Sequence, residues 1–353
     1  MNHIYDLDQT FEENATYGPF WDKQIPKIPV PKKKWSFLGY KLNSPFGIAA
    51  CPLTATSRHL KLMSHLGYDL LTFKSVRSVE WRGNPAPHWR YINAPKSVLP
   101  RNKPLNYLAT LKSIKNQAPS MANSFGIHSI KPEYWQEDVD VSIDALSSGQ
   151  LLILSLMPTP IKGQSLVDDS KRLAKLAKQT KASIFEVNLA CPNTDGGEGL
   201  IYEDLNLSIA ICKAMKKILK NTPLLVKVGY YHDPEKTSQF LNQTKGIIDG
   251  IASINTYQGE VYDRGKKESF PGRPTAGISG ATIKPMAMDQ ARIIVSLKNK
   301  LKLKNFVTIG IGGVTKPSDI DQYLKIGVDA VQSAVGAYHD PLLAVKYKRK
   351  LIK

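Results

Sequence analysis

The stretch Phe185-Glu-Val-Asn-Leu-Ala-Cys-Pro-Asn193 is a short apolar run that breaks into polar residues. Pro192 cannot continue a strand ladder, and the Gly-rich segment Thr194-Asp-Gly-Gly-Glu-Gly199 follows it. The pattern reads as a strand that ends at Asn188 and hands polar groups to a loop. The same pattern recurs on both sides. Candidate strands precede it at residues 46–51, 69–74 and 151–156. Others follow at 224–228, 250–255, 306–311 and 330–333. With 184–188 they number eight, and helical patterns fall between them, as at 57–67, 169–180, 205–220 and 281–297. Eight strands alternating with helices predict an α/β chain closed into a (β/α)8 TIM barrel over residues 44–345. An open doubly wound sheet is the alternative, but no Gly-x-Gly-x-x-Gly run follows the first strand to support it.

Three stretches break the rhythm. Residues 1–43 are aromatic and acidic, then Pro-rich, and read as an N-terminal extension with little regular structure. Residues 75–150 read as an elaborated excursion over the barrel mouth after strand 2, with a helix near 132–148. Residues 346–353 read as a basic C-terminal tail.

Composition narrows the function classes. The chain has 353 residues, 42% of them hydrophobic, and no run of about 18 apolar residues that predicts a membrane span. Its opening residues lack a basic region followed by an apolar run, which argues against a secretory signal. Only Cys51, Cys191 and Cys212 are present, which argues against a disulfide framework and fits a reducing, cytoplasmic setting. So few cysteines also exclude a self-contained four-cysteine metal or cluster site. The net charge of +18 is spread along the chain, with clusters at 32–34, 298–304 and 346–353. Nucleic-acid binders concentrate such charge in a stripe, so most of it reads as solvated surface, and no nucleic-acid partner is expected.

Polar or small residues sit at nearly every strand end: Lys74 and Ser75; Asn188, Cys191 and Asn193; Lys227; Asn255 and Thr256; Gly312 and Gly313. Asn123, in the excursion, joins them. A barrel would collect all of these at one rim. Lys74 and Lys227 each end an apolar run, so each needs an anionic ligand or a carboxylate, a structural salt bridge being the alternative. The Gly pair after strand seven and Ser333-Ala-Val-Gly336 after strand eight predict a phosphate site, because glycine lets backbone N–H groups approach an anion. Ala276-Gly-Ile-Ser-Gly280 reads as a further anion-facing loop or a plain helix cap, with the cap preferred. Cys191 could supply a thiolate or simply pack in a strand-ending turn, and its own stretch leaves both open.

Several motifs, taken together and in order, carry a resemblance. They are Thr72-Phe-Lys-Ser75, Gly83-Asn-Pro85, Asn123-Ser-Phe-Gly126, Asn188-Leu-Ala-Cys-Pro-Asn193, Val226-Lys-Val228, Asn255-Thr256, Gly277-Ile-Ser-Gly280 and Gly310-Ile-Gly-Gly313. From about residue 44 to 340 the chain resembles the dihydroorotate dehydrogenase family, in its class 1 group with a cysteine base. The resemblance implies bound FMN and oxidation of (S)-dihydroorotate to orotate in de novo pyrimidine biosynthesis. It implies that Cys191 removes a proton from substrate C5 while hydride leaves C6 for the cofactor. It places Lys74, Asn123, Asn188, Asn193, Asn255 and Thr256 on the substrate. It places Ala50, Lys74, Ser75, Asn188, Lys227, Gly280, Gly312, Gly313, Ala334 and Val335 on FMN. A homodimer is also implied.

The chain departs from the family pattern in three places. Ser333-Ala-Val335 stands where Gly-Thr is usual, Ile127-His-Ser129 where a Leu-Pro-Asn-like run is common, and Ala49-Ala-Cys-Pro52 where Ala-Ser-Gly is expected. The extension does not resemble the paired amphipathic helices of the membrane-bound class. The electron acceptor stays open among fumarate, oxygen, quinone and NAD through a partner subunit. A related flavoprotein acting on another pyrimidine, similar to dihydropyrimidine dehydrogenase, is the alternative function.

Overall fold

The computed structural model describes residues 4–94, 106–191 and 198–352. The chain opens with helix α1 (Phe11–Tyr17) and a hairpin of β1 (Trp35–Phe37) and β2 (Tyr40–Leu42), then β3 (Phe46–Ile48), α2 (Ser57–His65) and β4 (Leu70–Val76). Three strands come next, β5 (Trp89–Asn93), β6 (Asn106–Thr110) and β7 (Ser120–Asn123), and then α3 (Pro132–Asp144). Strand and helix then alternate: β8 (Leu151–Leu156), α4 (Leu166–Ala177), β9 (Phe185–Asn188), α5 (Leu205–Leu219), β10 (Leu224–Val228), α6 (Pro234–Gln243) and β11 (Gly250–Ser253). A second pair, β12 (Tyr257–Tyr262) and β13 (Thr275–Gly280), interrupts them. The rest is α7 (Lys284–Lys300), β14 (Val307–Ile311), α8 (Pro317–Ile326), β15 (Ala330–Ser333), α9 (Val335–His339) and α10 (Leu343–Leu351).

Strands β3, β4, β8, β9, β10, β11, β14 and β15 close into one parallel barrel in that order. This is the (β/α)8 barrel that the alternation of strand and helix predicts. Its strands are buried on both faces, which is why they read as continuous apolar runs. Leu70, Leu151, Ile153, Ile184, Leu225, Val307, Ile309 and Ala330 form one apolar cluster, and the hairpin inserts Phe37 and Leu42 into it. That hairpin turns through Leu38 and Gly39, both at positive φ, the two-residue geometry that matches strand twist. A separate cluster joins the outer faces of the strands to the helices.

The excursion is more regular than its sequence suggests. Strands β5, β6 and β7 close with β12 and β13 into a second, smaller sheet. Residues 276–280, read as an anion-facing loop or a helix cap, lie in β13, which pairs with β7 and β12, and Gly280 at its end also caps the 3-10 turn that leads into α7. The extension is also corrected. Thr10 and Glu13 cap α1 reciprocally, with bonds of 3.1 and 2.8 Å. Phe11 stacks on His128 at 4.6 Å, and Tyr5 meets Trp89 edge-on at 5.9 Å. The extension therefore packs against the smaller sheet and its flanking loops.

The stretch read as a basic tail is helical for most of its length. Lys348 in α10 is buried and pairs at 2.8 Å with Asp69, whose other carboxylate oxygen accepts from Ser44 Oγ at 2.5 Å. Burial pushes the Asp69 carboxyl above its usual range, and Lys348 is the largest opposing influence. The pair staples the last helix to the base of β4. Lys348→Met should lower the unfolding free energy by about 3–5 kcal/mol, because an unpaired carboxylate is left buried. The loss should deepen as pH rises through the carboxylate range, since a raised folded pKa makes the native state bind the extra proton. Adding Asp69→Asn should recover most of it. Urea unfolding of both variants checks this, and equal stability of the two would show that the charge is not the cause.

Candidate active site

One cavity opens at the C-terminal ends of the barrel strands, roofed by the smaller sheet. It brings together Ala50, Lys74, Ser75, Asn123, Asn188, Cys191, Lys227, Asn255, Thr256, Gly280, Gly312, Gly313, Ala334 and Val335. Of the site residues expected from sequence, Asn193 alone lies outside the described residues.

Strand β4 supplies two neighbouring residues to the cavity by a local irregularity. Its pairing with β8 runs Phe73 to Leu154 and then Val76 to Leu156, so β4 carries one extra residue there. Such a bulge lets Lys74 and Ser75 both line the cavity, where a regular strand would turn one away. Lys74 is 6% exposed and Lys227 4%, and among the described residues neither forms an ion pair. Burial lowers the Lys74 pKa to about 8, with the neighbouring thiols of Cys191 and Cys51 opposing the shift and Arg77 and Lys227 adding to it. Glu186, 1% exposed, accepts from Ser155 Oγ at 3.0 Å. Burial raises its pKa, and Lys227 is the largest opposing influence. Two buried lysines without an ion pair among the described residues suit an anion or an electron-rich ring in the cavity.

The asparagines hold one another. Asn255 Nδ2 donates to Asn188 Oδ1 at 3.0 Å, and Asn188 Nδ2 donates to Ser75 Oγ at 3.3 Å. Ser75 Oγ lies 2.8 Å from Ser155 Oγ, so the chain of bonds runs down to Glu186. Thr256 N–H donates to Asn255 Oδ1 at 2.8 Å. Each amide is thus fixed in orientation before any ligand arrives. Cys191 is 5% exposed and stands in the loop directly after β9. Cys51, a second thiol on the wall, has its pKa pushed up to about 11 by burial. Cys212 is fully buried in α5, away from the cavity lining.

The far end of the cavity is lined by the loops after β14 and β15. Gly312 and Gly313 both hold positive φ, 126° and 68°. A Cβ on Gly313 would meet Lys284 Cβ at 2.3 Å, so this close approach needs glycine. The carbonyls of this loop are occupied from behind: Tyr323 donates to Gly312 O at 2.7 Å, and Ser333 Oγ donates to Val314 O at 2.7 Å. Asp319 accepts from Thr315 N at 2.9 Å and pairs with Lys284. The N–H groups of Gly313, Val314 and Ala334 donate to no acceptor among the described residues. Backbone donors left unspent on cavity-lining residues fit a phosphate.

The sequence points to an excursion over the barrel mouth but, beyond Asn123, not to the residues it contributes to the cavity. Trp89, Phe125, Gly126 and Ile127 line the cavity from the smaller sheet and the loop after β7. Gly126 and Ile127 have φ of 67° and 56°. The Gly126 conformation leaves a trace in sequence; that of Ile127 does not. Burial lowers the pKa of His128 beside them to about 3, with His88 and Lys74 adding to the shift.

Comparison with known proteins agrees with this architecture. A family model described as Dihydroorotate dehydrogenase matches residues 33–353. A Dictyostelium discoideum protein named dihydroorotate dehydrogenase is 33% identical over 362 residues, covering 98% of this chain and 96% of that one. An Archaeoglobus fulgidus protein named dihydroorotate dehydrogenase B (NAD(+)), catalytic subunit, is 30% identical, covering 89% and 91%. The crystal structure of an Eimeria tenella dihydroorotate dehydrogenase with ferulenol shares the fold, with a TM-score of 0.71 at 16% identity, covering 92% of this chain and 85% of that one. With the family model spanning the whole barrel, the chain belongs to the dihydroorotate dehydrogenase family.

Proposed function

We propose that this chain oxidises (S)-dihydroorotate to orotate with bound FMN, Cys191 acting as the base. The observation that carries the reading is one cavity holding a strand-end thiol, a bonded set of asparagines, two buried lysines and an unspent N–H cradle, in a member of this family. The cradle of Gly313, Val314 and Ala334 fits the phosphate, with Gly312, Gly280, Val335 and Ala50 beside it. Lys227, Ser75 and Asn188 serve the ring. FMN supplies the two-electron acceptor that no side chain provides. Lys227 sets a fixed positive charge beside the group that gains electrons.

Asn123, Asn188, Asn193, Asn255 and Thr256 hold the substrate's ring amides and carboxylate. The bonds that join Asn188, Asn255 and Thr256 orient those three in advance, which removes reorganisation from the reaction. The Cys191 thiolate takes the proton from C5 as hydride leaves C6, so the substrate's C5–C6 single bond becomes double. Lys74 pairs with the negative charge on the substrate. Trp89 and Phe125 close the roof with apolar surface and keep water from the reacting atoms.

Cys191→Ala should retain FMN and lose about 10²–10⁴-fold in the rate of flavin bleaching by dihydroorotate without oxygen, and Cys191→Ser should keep part of that rate at high pH. Normal bleaching in the alanine variant rejects the base assignment. A protein that cannot be loaded with FMN rejects the whole reading.

Lys74 yields a second test. Its folded pKa lies near 8 against the usual 10.5, so between those values the unfolded chain binds the extra proton and stability of the ligand-free protein rises with pH. Below pH 8 the buried charge costs stability in full. Lys74→Met should therefore raise the ligand-free unfolding free energy at neutral pH by about 1–3 kcal/mol while weakening orotate binding. Melting curves with and without orotate check both signs. A variant destabilised without ligand contradicts the account.

A further inference from the structure

The roof segment of Phe125, Gly126 and Ile127 lines the cavity without belonging to any strand or helix. Its shape must come from what holds it. Glycine adopts a left-handed backbone freely, but for β-branched Ile127 at φ 56° the conformation is strained and persists only if the surroundings impose it. Arg77 stands directly after β4 and is fully buried. Its Nε donates to Ile127 O at 3.3 Å and its Nη1 to Pro158 O at 3.1 Å. The guanidinium lies 4.6 Å from the ring centre of Trp81. The backbone of Arg77 is itself fixed, its N–H donating to Ser129 Oγ at 3.0 Å and its carbonyl accepting from Trp135 Nε1 at 3.1 Å. Trp81 and Ser129 in turn exchange backbone bonds of 2.8 and 2.9 Å.

We infer that Arg77 is a positioning residue: it clamps the Ile127 carbonyl and ties the cavity roof to the strand that carries Lys74 and Ser75. The N–H groups of Gly126 and Ile127 donate to no acceptor among the described residues, so the clamp holds the segment through its carbonyl and leaves those donors unspent. A planar fork is suited to this. It reaches two carbonyls on different segments while its face packs on an indole, whereas a lysine offers a single ammonium and no flat face. The roof is thereby formed before a ligand enters.

Two readouts test this on the full-length, FMN-loaded protein, and only the second rests on the reading of the cavity as a dihydroorotate site. Amide hydrogen exchange of residues 124–129 without substrate should be about tenfold faster in Arg77→Lys than in the parent protein, with the barrel strands unchanged. Then KM for dihydroorotate and Kd for orotate should rise about tenfold or more in Arg77→Lys, with kcat and FMN content within about twofold. Unchanged exchange in the roof overturns the clamp. Faster exchange with unchanged KM and Kd overturns its role in binding. A parent protein that neither binds orotate nor is bleached by dihydroorotate rejects the function instead, while the exchange result still decides the clamp. Should Arg77→Lys not fold, Trp81→Leu removes the face the guanidinium packs on and should show the same pattern more weakly; a parent-like roof there overturns the clamp too.

Discussion

Two ammonium groups buried at the rim of the barrel, with no carboxylate paired to either among the described residues, set the terms for the rest of the molecule. Burial of an unpaired charge is costly, and folding has to supply what the site takes. The barrel does so with strands buried on both faces, a hairpin that plugs one end of its interior with Phe37 and Leu42, and helices packed around the outside. Asp69 and Lys348 show the contrast. That pair is as deeply buried, but it is mutually satisfied and serves only to fasten the last helix. Lys74 and Lys227 are held in the same kind of interior with their charge left for a ligand.

Between the two lysines lies a polar seam. Glu186, Ser155, Ser75, Asn188 and Asn255 run from the barrel interior to its rim as a continuous set of hydrogen bonds. Such a set favours one orientation of each amide, because turning Asn188 or Asn255 breaks the bonds that join them to Ser75 and Thr256. The seam depends on the bulge in β4. Without the extra residue, Lys74 or Ser75 would leave the cavity, and either the charge or the seam would be lost.

Much of this was legible in the residues, and the reason differs from part to part. Residues 151–156, 224–228 and 330–333 were read as strands with the bounds they have, since a strand covered on both faces is an uninterrupted apolar run between turn signals. The strand-end polar residues follow from the same topology, because a closed parallel barrel has only one rim at which its C-terminal ends can meet. What failed was what depends on distant partners. Strand β6 pairs with β12, far along the chain, and the glycines of β13 read as a loop or cap although that strand is paired on both sides, with β7 and β12. Lys348 looked like tail charge because its partner is 279 residues away. Helix α1 is a different failure: Thr10 with Glu13 is a capping pair, visible in sequence, that the surrounding acidic and aromatic residues obscured.

The smaller sheet and the extension then acquire one physical purpose. A barrel rim is open to water, and solvent there would screen the charge that Lys74 and Lys227 present to a ligand. The sheet covers that rim with Trp89, Phe125, Gly126 and Ile127. The extension backs this covering from outside. Phe11 stacks on His128, His128 meets His88 edge-on at 5.2 Å, and His88 stacks on Phe125 at 5.3 Å, so a column of rings runs from the first helix to the cavity wall. Arg77 anchors the same wall from the barrel side. Support from both sides leaves the roof little freedom to relax, which is the condition for a strained residue such as Ile127 to persist beside a ligand.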